Sequence, residues 1–200
     1  MVDKANKNAG VPQHESLYYN RSILRKGDLI LTAFPGSSVV SKLIRFFEKV
    51  YSKDKEALYT HVNFLSEVDV ENDKYEILDT KWKVETADLF EGYTGSPCAI
   101  LRIKIAKPAE IDFAVKTIKE SDEGKSYPVA RLILHMFRMA DNIHWNREVC
   151  SERGAKLWHL ILRLYQIFVF ERYYGWTPDG IYDFVKSNPE IFEVVFEGTC

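Results

Sequence analysis

Polar and apolar positions follow two different rhythms along this chain. In its first half the apolar residues come in short runs or alternate. "RKGDLILTAF" sets a Gly-Asp turn before an apolar strand, Leu29 to Ala33. "LYTHVNFLSEV" alternates with β-branched and aromatic residues and reads as a strand containing His61. "DVENDK" is a polar turn, "YEILDTKWKVETADLF" reads as two further short strands, and "SPCAILRIK" as another, with Cys98, Ile100 and Arg102 sharing a face of its period-two pattern. One helix interrupts this series: Ser37 or Ser38 caps a segment in which Val40, Leu43, Ile44, Phe47 and Val50 recur at helical spacing.

From Pro108 the rhythm becomes helical. "KPAEIDFAVKTIKESDEGK" opens on a proline and stops at Gly124, a pairing that starts and ends a helix. "SYPVARLILHMFRMADN" predicts a second helix, and "NREVCSERGAKLWHLILRLYQIFVF" a third, apolar on nearly every side and so a central pillar. "GWTPDGIYDFVKSNP" predicts a short helix capped by Thr177 with Pro178 at its first position, and "EIFEVVFEG" a closing strand. Strands first and helices later predict an α+β fold in one domain, residues 21–200, behind a flexible lead-in over residues 1–20.

Composition adds limits. The 200 residues suffice for one core. The net charge of −2, without a basic block, speaks against binding nucleic acid through its phosphates. The most apolar run, Leu157 to Phe170, is broken by His159, Arg163 and Gln166 and falls short of the roughly 20 residues a bilayer demands, so no transmembrane segment is expected. The first residues lack the apolar core of a signal peptide, and three cysteines cannot pair completely. A reducing, cytoplasmic setting with free thiols follows as the expectation.

A cysteine at the mouth of the central helix invites a chemical reading. Cys150 follows a possible cap at Asn146, with Glu148 and Glu152 placed for the first turn. Free N–H groups and the helix dipole there favour a thiolate and could hold an oxyanion. Taken alone, a buried cysteine more often merely packs. Of five histidines, His14 lies in the lead-in, His135 and His144 suit a helix surface, and His159 lies about 13.5 Å along the axis from Cys150. His61, on its strand, is an even choice between base and satisfied strand histidine. Asp79, at the end of the neighbouring strand, is best placed to orient it, with Glu76 and Glu85 as alternatives. Short-spaced metal-ligand pairs and glycine-rich phosphate loops are lacking, so neither metal nor cofactor is expected.

Four segments in order, "GDLILT", "SKLIRFF", "YTHVNFLSE" and "VCSERGAKLW", resemble the circularly permuted NlpC-type papain-fold hydrolases of the YiiX-like branch. In that branch histidine precedes cysteine. "EGKSYP" and "TPDGIYDF" are similar to two further family segments, and the likeness runs from about Gly27 to Phe196. The resemblance implies a permuted papain-like fold, its antiparallel sheet packed against the cysteine-bearing helix. It implies Cys150 as nucleophile, His61 as general base and Asp79 as orienting acid, although the family more often has glutamate at that strand end. It places Tyr59 on the sheet face of His61 as a pocket residue, has Ser151 and Glu152 supporting the helix start, with Ser151 touching substrate, and makes Gly27 and Asp28 a structural turn. The implied reaction is cleavage of a peptide or cell-wall-type amide through a thioester. A thiol acyltransferase or lipase acting on lipid-like acyl groups is the alternative. The related lecithin:retinol acyltransferase group typically follows its cysteine with Glu-His, whereas this chain has Ser-Glu, which favours the amidase. A non-catalytic binding protein retaining the fold is the third reading.

Overall fold

A computed structural model describes residues 16–33, 58–80, 83–126, 149–167 and 176–200. The helix expected after Ser37, the one expected from Tyr127 onward, and the residues His14, His135, His144, Asn146 and Glu148 lie outside them. Strands β1 (Leu29–Thr32), β2 (His61–Asp69), β3 (Lys74–Thr80), β4 (Val84–Asp88), β5 (Pro97–Ile103) and β6 (Phe192–Thr199) form one antiparallel sheet in the order β4-β3-β2-β1-β5-β6. The helices are α1 (Leu89–Tyr93), α2 (Pro108–Asp122), α3 (Cys150–Leu164) and α4 (Pro178–Ser187). The expected mixed α+β arrangement with an antiparallel sheet is therefore observed.

The short strand β1 sits in the middle and is fully buried, which explains why its sequence is a continuous apolar run rather than an alternation. Its last residue, Thr32, pairs with His61 on one side and Cys98 on the other. Period-two alternation sends Leu29, Leu31, Val62 and Phe64 into a core with α2, α3 and α4, where Trp158 stacks on Phe192 at 4.7 Å between ring centroids. Ile30, Leu65, Ile77 and Ile100 enter a second cluster beneath α1 and a 3-10 helix, Leu17–Ile23. Leu17 has no exposed surface, so the packed chain already includes residues placed by pattern in the lead-in.

Local chemistry sets the ends of the helices. Asp88 accepts from the N–H groups of Phe90 (2.8 Å) and Glu91 (3.0 Å), which turns the end of an expected strand into α1. Thr177 caps α4 by accepting from Gly180 N–H at 3.0 Å, and Pro178 begins it, as the sequence predicts. At the start of β1, Gly27 has φ +85°, and a Cβ there would stand 2.5 Å from Ile111 Cγ2 of α2. The adjacent Asp28 accepts both arms of Arg102, from Nε and Nη2, each at 2.7 Å, so the Gly-Asp pair is a structural turn locked to β5.

Candidate active site

His61 is the first residue of β2, and α3 presents Cys150 as its own first residue. The two meet at the end of the sheet. His61 hydrogen-bonds the Cys150 sulfur, which also accepts from the backbone N–H of Val62. His61 Nε2 donates to Asp79 Oδ1 at 2.9 Å, which leaves Nδ1 to face the thiol. Cys150, His61 and Asp79 are 6%, 3% and 0% exposed, so their charges interact with little screening by water.

Close packing of α3 is what permits the meeting. Gly154, one turn beyond Cys150, has no side chain to hold the helix off: a Cβ there would lie 2.8 Å from Val62 Cγ1 and 3.4 Å from Leu29 Cδ1. The helix start is secured by Glu152, whose Oε2 accepts from Val149 N–H at 3.1 Å. Val149 takes the cap position, three residues later than the cap sought in the sequence. Ser151 lies beside Cys150, is itself 3% exposed, and completes the first turn with Glu152. His159 lies half-buried farther along the same helix.

Electrostatics favour a charged pair. Burial alone would depress the His61 basicity. The negative sulfur and the hydrogen bond to Asp79 outweigh burial and push its pKa up to about 10. Burial likewise opposes ionisation of Cys150, yet the His61 charge and hydrogen bond, the Val62 N–H and the Arg153 charge bring the thiol below its ordinary value. Cys98 behaves oppositely: a hydrogen bond with Cys200, together with burial, pushes its thiol upward.

Several partners were not legible as site residues. Asp79 Oδ1 also accepts from Tyr93 O–H (2.9 Å) and from its neighbour's N–H, Thr80 (2.6 Å). Tyr93 lies nearly parallel to the His61 ring, 15° between planes and 6.0 Å between centroids. With its amide turned, Asn63 donates to Asp79 Oδ1 at 3.1 Å, and its own oxygen lies 3.2 Å from the Tyr93 hydroxyl. Asn63 stands two residues after His61 on the same strand, so period-two alternation could have found it. Tyr93 sits in a five-residue helix with no local signal.

Tyr59 departs from its expected place. Strand β2 begins only at His61, so alternation does not carry back to residue 59. The Tyr59 ring packs on Tyr182 (5.5 Å) in the core shared with α3 and α4, and its N–H donates to Asp179 at 3.2 Å. It is a packing residue of that core. Glu76 and Glu85, the alternative acids, instead lie near Lys74 (3.0 Å) and Lys83 (3.3 Å), and Asp79 alone of the three is on His61.

No protein-family model matches the chain, and no curated protein does. Among solved structures it is similar to the metalloprotein yiiX from Escherichia coli O157:H7, at 18% identity over 80% of this chain and 92% of that one, with a TM-score of 0.49. Among the described residues no three or more His, Cys, Asp or Glu side chains gather to hold a metal ion. No helix among them is long and apolar enough to cross a membrane.

Proposed function

We propose that this protein is a thiol hydrolase that cleaves an amide bond of a peptide or cell-wall-type substrate, with a permuted papain-like catalytic domain. The observation that carries the proposal is the unbroken line from the Cys150 sulfur through the His61 ring to the Asp79 carboxylate, with the thiol held below its ordinary pKa. The chain order His61, Asp79, Cys150 supports the permuted arrangement, and Ser-Glu after the cysteine supports the amidase over the acyltransferase.

In this reading Cys150 and His61 rest as thiolate and imidazolium. The sulfur attacks the substrate carbonyl. The oxyanion is met by the Cys150 backbone N–H, which as the first of the helix has no intrahelical acceptor. His61 gives its proton to the leaving amine, and the acyl group stays on sulfur as a thioester. The now neutral His61 then takes a proton from water, whose oxygen attacks the thioester, and keeps that proton while the sulfur departs as thiolate, which restores the resting ion pair. Asp79 holds the imidazole with Nε2 protonated and Nδ1 towards sulfur throughout.

Iodoacetamide labelling across pH tests the site. Cys150 should alkylate well below about pH 8, where an ordinary thiol is largely protonated, and should lose that advantage in His61→Ala. Cys98, whose thiol the Cys200 hydrogen bond and burial push upward, should label more slowly than Cys150 at every pH below its ionisation. A Cys150 no more reactive than a free thiol would leave a non-catalytic binding protein as the better reading. Panels of peptide amides, acyl esters and phospholipids decide the substrate class: turnover of lipids alone would reject the amidase.

A further inference from the structure

The mechanism above makes no use of a buried cation near the thiol. Arg153, one residue short of a full turn from Cys150 on α3, is 3% exposed. Its Nε donates to Asp122 Oδ2 at 3.3 Å, and its Nη1 donates to Thr80 Oγ1. Thr80 adjoins Asp79 on β3, and its N–H is one of the donors on the Asp79 oxygen that takes His61. Arg153 therefore ties the helix bearing the thiol to the strand bearing the acid. Burying a guanidinium costs more than burying an apolar side chain of that size, so packing alone does not call for it.

Asp122 is shared by three cations: Lys125 at 3.0 Å, Lys156 at 3.5 Å and Arg153 at 3.3 Å. Asp122 is thus a shared counter-charge for these three cations beside the first turns of α3. The other titratable groups facing this region among the described residues are His61 from β2, Asp79 from β3, Tyr93 from α1 and Glu152 from α3 itself. Of these, the two carboxylates are each engaged by donors, Asp79 by His61 and Tyr93 and Glu152 by Val149.

We propose that Arg153 is a positioning residue for the Cys150 thiolate, a permanent buried cation that holds the sulfur's helix against β3 and favours the ionised thiol, with Asp122 as the counter-charge that tempers it. This rests on the reading of Cys150 as nucleophile. Its geometry agrees with the direction in which the Arg153 charge moves the thiol. Arginine suits the part, because it does not lose its proton at any accessible pH.

The pH profile of Cys150 alkylation by iodoacetamide, read by mass spectrometry on the full chain, is the test. Arg153→Met should move the midpoint upward by about one pH unit, and Arg153→Lys should restore part of that shift, because a cation returns without the planar fork. Asp122→Asn should move it the other way, downward, since the carboxylate that offsets the Arg153 charge is removed. A variant that lost only packing would lower thermal stability without moving the midpoint. A midpoint unmoved in both Arg153→Met and Asp122→Asn, with the wild-type midpoint low, would overturn the role of Arg153 while leaving the nucleophile intact. A wild-type midpoint at the ordinary thiol value would instead remove the nucleophile. If Arg153→Met does not fold, the downward shift in Asp122→Asn decides the matter alone.

Discussion

His61 Nε2 lies 2.9 Å from Asp79 Oδ1 with both side chains sealed from solvent, and that single contact fixes which ring nitrogen faces the sulfur. Asp79→Asn keeps a hydrogen-bonding side chain but removes the charge that supports the imidazolium. It should lower amide turnover on the order of 10²-fold and slow Cys150 alkylation at neutral pH. Asp79→Ala should also lower stability by about 1–3 kcal/mol, because the donors on that oxygen lose their acceptor. Denaturant titration beside the kinetics separates the two effects.

The pH dependence has a definite sign. The His61 pKa is raised to about 10, so its stabilising contribution is complete below the unfolded histidine value and disappears as pH rises through about 10. The Cys150 thiol is lowered, so its contribution is complete above the ordinary thiol value and disappears as pH falls through the lowered one. Turnover should therefore rise through an acid limb below the usual thiol range and fall above about pH 10. In Cys150→Ser the largest support for the imidazolium is gone, and thermal stability should lose its fall near pH 10.

Gly154 tests how closely α3 must approach. Gly154→Ala gains helix propensity of up to about 1 kcal/mol, but its methyl group must displace the stiff side chain of Val62. A net loss of about 1–2 kcal/mol is expected from the crowding, with slower alkylation of Cys150 as the helix lifts. Val62→Ala in the same chain should recover much of the reactivity. Thermal melts and labelling rates on the single and double variants check this.

Asp28→Asn addresses the turn before β1. The carboxylate is 1% exposed and takes both arms of Arg102, which also donates to Ile23 O at 2.7 Å. Breaking one side of so buried a pair should cost about 3 kcal/mol, visible as a lowered midpoint in urea.

Much of this architecture was legible from rhythm alone. The alternation of "THVNFLSE" and the proline and glycine bounding α2 gave elements close to those observed, because each is governed by neighbours in sequence. The approach of His61 to Asp79 was legible because adjacent antiparallel strands bring their ends together. Asp88 capping α1 was less so: a capping aspartate and a strand-end aspartate look alike until the chain turns. The alternation of β2 does not reach Tyr59, because the strand starts at His61. Arg153, Asp122 and Tyr93 were invisible for a different reason: their contacts cross between α3, α2, β3 and α1, and no local spacing records them.

Helix α2 spans the interval between two of the features above. Near its start Ile111 rests on Gly27, and at its last residue Asp122 grips Arg153, about 16 Å further along the axis. A stiff rod seated at both ends transmits displacement. Side-chain volume introduced at the remote glycine would be felt as a tilt at the arginine, offering a way to retune the sulfur's acidity by remote leverage, with every group in its immediate surroundings left as it is.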